Sequence, residues 1–461
     1  MPDSQPQPAG HGDAAAPAPG EGALVLCGAR LADGRVVDVR LSGGRIEAVG
    51  TAGSLAPGPR VDLTGYLLLP APAEPHAHYD TALTADIGGP AAHAPEDVQR
   101  RATEAALLQL GHGVTAVRSH VRVGDVAGLR ALEGVLAARR ALQTLTDLTV
   151  VAVPRLLTGA AGADGLAVLR DAVAMGATVV GGCPDLDPDP AGYAEAVLAL
   201  AADHGCAVDL HTDGGDPARL ARLAAMAGGL RPGVTVGPCG ALARLPRDQA
   251  ARAGRQLAAA GVTVVCLPQG DCGALSGGRS AWCAPVRLLR AVGVQVAAGS
   301  GALRDAANPV GRGDPLEAAF LLASHAELSP AQAYEAVSAR ARTAMGLPEV
   351  RVEAGFPAEL LAVRGTGIAS ALSLGYSRLV VHQGRVVART SAVREYGDHG
   401  GGSGGGGGGG IGGGASEASG ETYGAAALEL PRQSPRQSPR GDGPGSGSAN
   451  GPGGGSGNGP A

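Results

Sequence analysis

Residues 66–80 read Tyr-Leu-Leu-Leu-Pro-Ala-Pro-Ala-Glu-Pro-His-Ala-His-Tyr-Asp. The run from Tyr66 to His78 is short and apolar and reads as a strand that closes on two histidines at i and i+2. That spacing turns both rings to one face of the strand. Seven further runs of the same texture follow, at Thr115–Val121, Leu148–Pro154, Ala177–Pro184, Cys206–Asp213, Val234–Gly240, Val262–Gln269 and Val294–Ser300. Between them lie Ala/Leu/Arg-rich stretches of helical period, such as Pro95–Leu110, Val126–Leu142, Ala191–Asp203, Pro217–Ala227 and Arg247–Ala260. An amphipathic helix after each buried parallel strand is the βα unit, and eight such units close into a (β/α)8 TIM barrel.

The flanking segments differ. Ala23–Val49 carries three short alternating strands with Asp-Gly and Gly-Gly turns, and Leu360–Val387 has the same texture. A small composite β-sandwich domain built from both chain ends, residues 22–65 and 346–390, with the barrel at 66–345 inserted between them, accounts for the symmetry. Residues 1–21 and 391–461 are dominated by Gly, Pro, Ser and Ala and are expected to be disordered tails.

Composition narrows the chemistry. All 37 basic residues are arginine, so a lysine Schiff base, a P-loop lysine and a carbamylated metal-bridging lysine are excluded. A formal charge of −5 offers no basic field for nucleic acid or anionic lipid. No apolar run reaches the roughly 18 residues of a membrane span, and the first residues lack the pattern of a signal peptide. A cytoplasmic protein with no nucleic-acid or membrane partner is expected. The seven cysteines are scattered without a C-x-x-C pair and read as free thiols. Cys183, Cys239 and Cys272, near strand ends, read as small buried residues in an Ala-rich core.

His76 and His78 at the end of the first barrel strand can clamp one divalent metal, with His211 in Asp209-Leu210-His211-Thr212-Asp213 as the third ligand. His120, at the end of the second strand, reads as a hydrogen-bonding strand-end residue rather than as a fourth ligand.

Several segments together resemble the amidohydrolase superfamily, in its bacterial cytosine deaminase-like branch. They are Gly-Arg-Ile-Glu-Ala-Val-Gly (44–50), Leu-Leu-Leu-Pro (67–70), Glu-Pro-His-Ala-His-Tyr-Asp-Thr-Ala-Leu-Thr-Ala (74–85) and Val-Arg-Ser-His-Val-Arg-Val (117–123). Val-Ser-Ala-Arg-Ala-Arg-Thr-Ala-Met-Gly-Leu (337–347) and Ala-Gly-Phe-Pro-Ala-Glu-Leu-Leu-Ala-Val (354–363) resemble that family's barrel exit. The resemblance implies metal-dependent hydrolysis of non-peptide C–N bonds in cyclic amidines. In such enzymes one metal is held by the H-x-H pair, a His after strand 5 and an Asp after strand 8. A Glu three residues after the strand 5 His shuttles protons, and a His after strand 6 polarises the attacking water.

His76, His78 and His211 match this pattern. The proton-shuttle Glu falls on Gly214, the strand 6 His on Pro238 and the strand 8 Asp on Gly301, while a substrate-amide Gln after strand 3 appears as Arg155. Each change removes a functional group outright. Carboxylates close enough to stand in are Asp213, Asp216, Asp305 and Asp80, of which Asp213 shares strand parity with His211 and is the candidate catalytic base.

The sequence therefore leads to an amidohydrolase-like protein with a degenerate, weak or inactive site. Its divalent metal, Zn or Fe, is expected to be weakly held or absent. The partner would be a small heterocyclic substrate or ligand, with a homo-oligomer as a further possibility. The alternative is a non-catalytic homologue that binds a small ligand or a protein partner through the barrel cavity.

Overall fold

The computed structural model describes residues 22–87, 92–160, 162–270, 283–325 and 327–392. Of the tails expected at 1–21 and 391–461, residues 1–21 and 393–461 lie outside the described residues, as does Cys272.

Eight parallel strands form one sheet: β6 (Ala73–Ala77), β7 (Ala116–Arg122), β8 (Asp147–Val153), β9 (Val179–Gly182), β10 (Ala207–Thr212), β11 (Val234–Pro238), β12 (Thr263–Cys266) and β13 (Gln295–Ala298). They neighbour one another in chain order, each in parallel register with the next. Helices α1 (Pro95–Gly111), α2 (Val126–Leu142), α3 (Gly162–Met175), α4 (Pro190–His204), α5 (Pro217–Ala227), α6 (Arg247–Ala259), α7 (Val286–Ala291) and α8 (Pro315–Ser324) follow the strands in turn. This is the expected (β/α)8 barrel.

Several helix starts are written in the sequence. Asp189, Asp216 and Asp314 each stand before a proline and accept hydrogen bonds from the first-turn amides of α4, α5 and α8. A carboxylate there satisfies donors with no intrahelical partner, and proline fits the first helical position. Leu132, Val135, Leu198 and Leu223 on the helices pack against outward strand residues such as Val117, Val150 and Val208 in one continuous core. Two more helices, α9 (Pro330–Val337) and α10 (Ala339–Ala344), follow α8. Ala341 of α10 packs on Ala73, Ala116, Val265 and Ala297 inside the barrel.

The second sheet is made from both chain ends. It runs β16-β15-β14-β5-β1-β2-β3, with β4 beside β1, and its members are β1 (Leu24–Arg30), β2 (Val36–Ser42), β3 (Arg45–Gly50), β4 (Arg60–Asp62), β5 (Tyr66–Pro70), β14 (Leu360–Arg364), β15 (Arg378–His382) and β16 (Arg385–Thr390). Leu26, Val39, Leu41, Ile46, Leu68, Leu360 and Val381 form its own core.

One sequence reading is corrected here. Tyr66–His78 is not one strand but two: β5 pairs with β14 in the end-built sheet, and the barrel begins at Ala73. Pro70 and Pro72 bracket the break, and proline removes the N–H that would carry a ladder onward.

Barrel and sheet are joined by a buried bidentate ion pair between Arg378 on β15 and Asp314 before α8, at 2.9 and 2.7 Å. Burial pushes the Asp314 carboxyl up, and its bonds to Arg378 outweigh this and leave it below the usual carboxylate range. A carboxyl lowered by folding contributes stability above its unfolded pKa and loses it as the pH falls through the folded one. Lowering the pH from 5 toward 2 is therefore expected to destabilise the native chain more than Asp314→Asn. Urea midpoints across that range are the check. Among the described residues, no helix is long and apolar enough to cross a membrane.

Candidate metal centre

Four imidazoles meet inside the barrel. His76 on β6, His78 just beyond it, His120 on β7 and His211 on β10 each offer a nitrogen, and the four atoms lie within 4.8 Å of one another. The Nε2 atoms of His76 and His78 are 3.4 Å apart, as are those of His78 and His211. All four rings are buried. Burial, followed by the neighbouring imidazoles, pushes His76 and His78 well below the usual histidine value. The same causes, burial first, bring His211 down to about 3. Neutral rings with converging lone pairs are what a divalent cation binds. Two nitrogens each about 2.1 Å from a tetrahedral ion lie about 3.4 Å apart, so these residues fit a metal.

The H-x-H segment is positioned by a bulge and a strap. Ala73 and Glu74 pair with Ala116 and Val117, but Ala77 pairs with Ser119, so the Pro75-His76 step inserts one extra residue. Glu74 accepts from the amide of His76 at 3.0 Å and from that of Ser300 at 2.8 Å, and Ser300 Oγ donates to the same carboxylate. No backbone ladder joins β13 to β6, so this side chain bridges the barrel seam. Burial raises the Glu74 carboxyl to about 7. A Cβ at Gly299 would stand 2.5 Å from Glu74 Oε1, so only glycine allows the strap.

Below the imidazoles a buried ion pair fills the barrel. Arg118 on β7 donates to Asp209 on β10 at 2.9 Å, to Thr235 at 3.2 Å and to the Ala344 carbonyl at 3.1 Å. Burial pushes the Asp209 carboxyl up, and the His120 ring and Arg118 guanidinium outweigh it, holding the group well below the usual carboxylate range.

The structure brings His76, His78 and His211 together, as their strand-end positions require, and adds His120. It does not bring Asp213 to the cluster. That carboxylate accepts from the Gly215 amide at 2.7 Å and lies 3.8 Å from Arg244, in its own half-exposed loop. Asp216 caps α5, Asp305 accepts from Thr81, Ala307 and Asn308, and Asp80 receives Arg122 at 3.2 Å. Cys183 and Cys239 are buried, and burial pushes the Cys239 thiol well above its usual value. Sequence reading weighed His120 against a fourth ligand and missed the Arg118–Asp209 pair. The signal was present, since Arg118/His120 and Asp209/His211 repeat the i, i+2 spacing of His76/His78.

The three positions without a functional group are occupied differently. Gly214 has φ +73°, and a Cβ there would meet Leu242 Cγ at 2.9 Å. Gly301 has φ +70°, and its Cβ would meet Leu267 at 3.3 Å. Pro238 ends β11 and has no side chain able to accept or donate a proton.

The amidohydrolase family model matches residues 91–388. The chain is 28% identical to the pterin deaminase of Rhizobium rhizogenes over 315 residues, which are 64% of this chain and 70% of that protein. The crystal structure of N-isopropylammelide isopropylaminohydrolase from Burkholderia multivorans superposes with a TM-score of 0.72 at 26% identity, covering 80% of this chain and all of that one. The 5-methylcytosine deaminase of Klebsiella pneumoniae, at 23% identity and a TM-score of 0.70 over 81% of this chain and 99% of its own, shares the fold. The chain belongs to the amidohydrolase family.

Proposed function

We propose that the barrel mouth holds one divalent cation, zinc or iron, on His76, His78 and His211, and takes a small nitrogen heterocycle without deaminating it at an ordinary enzymatic rate. The observation that carries this reading is the pairing of converging, neutral imidazoles with Gly214, Pro238 and Gly301 where a proton shuttle, a polarising base and a carboxylate ligand would stand. The heterocyclic ligand class is drawn from relatives whose names specify pterin, 5-methylcytosine and N-isopropylammelide.

When bound, the cation would supply Lewis-acid polarisation of a ligand carbonyl or ring nitrogen. The chain's own groups then do the following. His76, His78 and His211 hold the ion, and the Glu74 strap fixes the segment that carries the first two. Arg122, two residues beyond His120, rests on Asp80 with its side chain 62% exposed, where it can orient an incoming acceptor group. Asp213, Asp216 and Asp305 are engaged in loop and cap hydrogen bonds, which occupy the oxygens a proton-moving base would need free.

With only imidazoles in contact, the ion is expected to come away to EDTA more readily than from a site that includes a carboxylate. Metal analysis and titration calorimetry on the full chain are the test. About one equivalent of zinc is expected to bind and to be lost in His211→Ala. Absence of binding to the native chain, or unchanged binding in that variant, would overturn the reading.

A further inference from the structure

We propose that His120 is the fourth ligand of this centre, making it an all-imidazole site in which a histidine from the second barrel strand does the work of the carboxylate missing at Gly301. The inference rests on the cation site proposed above and goes beyond it in ligand number and in the metal it selects.

The argument is a count of donors and acceptors around one ring. His120 Nδ1 lies 3.3 Å from the Ala77 carbonyl, and its Nε2 lies 3.4 Å from Asp209 Oδ1. Both neighbours are acceptors, while a neutral imidazole has a single N–H. Of the two contacts only that of Nδ1 with the carbonyl has hydrogen-bond geometry, so the N–H belongs on Nδ1, and this is the arrangement in which a backbone carbonyl fixes the tautomer of a metal-bound histidine. The Nε2 lone pair is then left facing a carboxylate oxygen. Both atoms are buried and neither has a hydrogen-bond partner. Two lone pairs 3.4 Å apart in a dry interior repel unless something positive lies beside them.

The other carboxylate oxygen of Asp209 is already held by Arg118 at 2.9 Å, so this side chain cannot turn away without losing that ion pair. A proton or a metal ion can supply the positive charge. Three more imidazoles converge on the same place, with ring centroids of His76, His211 and His78 at 4.2, 4.7 and 5.3 Å from that of His120. One proton can serve only one pair of these nitrogens at a time, whereas one metal ion satisfies all four rings.

The ligand set also states a preference. Four neutral nitrogens with no carboxylate among them suit borderline cations such as zinc, cobalt or nickel and disfavour magnesium, manganese and calcium, which take oxygen ligands.

X-ray absorption on the zinc-loaded full chain counts imidazoles without any substitution, and four are expected. Cobalt and zinc titrations of the native chain, His120→Gln and His211→Ala complete the test, with thermal melts confirming that each variant is folded. His120→Gln should bind zinc at least about 10-fold more weakly, and its cobalt visible spectrum should change. Magnesium and calcium at millimolar concentration should not displace zinc. A count of three imidazoles, or unchanged affinity and spectrum in a folded His120→Gln, overturns the proposal while His211-dependent binding leaves the three-histidine centre standing. If the native chain binds neither zinc nor cobalt, the centre itself fails and the fourth ligand with it.

Discussion

Purified chain incubated with cytosine is expected to release ammonia about 10⁴-fold or more below an ordinary deaminase rate, which a coupled ammonia assay reads as no turnover. Removing one general acid or base typically costs about 10² to 10⁴ in rate, and on the proposed reading Gly214 and Pro238 remove two. On that reading the deficit is structural as well as chemical. Leu242 stands where a side chain at 214 would begin, and both Gly214 and Gly301 hold left-handed backbone that a residue with a Cβ enters at a cost. Gly214→Glu, Pro238→His and Gly301→Asp are therefore expected to restore little singly, because groups that act as a unit are not additive. The combined variant should need Leu242→Ala as well before turnover emerges. Ammonia release by the native chain at an ordinary rate would refute the degenerate reading. Asp213→Asn would then ask whether the carboxylate beside Arg244 swings inward during turnover.

The largest effect on stability is expected from Arg118→Met. This guanidinium is 2% exposed and carries bonds to Asp209, Thr235 and the Ala344 carbonyl. Deleting it strands the Asp209 charge in the barrel, and breaking a buried pair from one side costs roughly 3–5 kcal/mol. Changing both partners, Arg118→Met with Asp209→Leu, should be milder than the single change, since no bare charge remains. Urea unfolding of the two variants decides the matter. A single variant within about 1 kcal/mol of the native chain would show that the pair does not hold the barrel floor.

Much of the architecture was legible because its signals are local. Apolar runs of strand length, the Asp-Pro helix starts at 189, 216 and 314, and the Asp-Gly and Gly-Gly hairpin turns each act over a few residues. His76, His78 and His211 were legible because barrel strands end at one face. The structure contradicts the strand assignment where distant chain segments decide. β5 was merged with β6 because its partner, β14, lies almost three hundred residues away in sequence. His120 is the hydrogen-bonding strand residue that was expected, with Nδ1 on the Ala77 carbonyl, while the Arg118–Asp209 pair that crosses the barrel joins residues far apart in sequence. Asp213 has the right parity on β10, but the chain leaves the strand at Thr212, and parity ceases to govern direction once the ladder stops.

The place of β5 between β1 and β14 also sets an order of events during synthesis. Leu67, Leu68 and Leu69 receive their antiparallel partners Val363, Ala362 and Leu361 only after every strand of the barrel has left the ribosome. Until then the growing chain carries an open, leucine-lined strand edge of the kind that recruits foreign strands. A ribosome stalled before residue 360 would present that edge indefinitely. Chains truncated there should aggregate even though the whole barrel sequence is present, and the cell's need for a holding chaperone would be greatest in that interval.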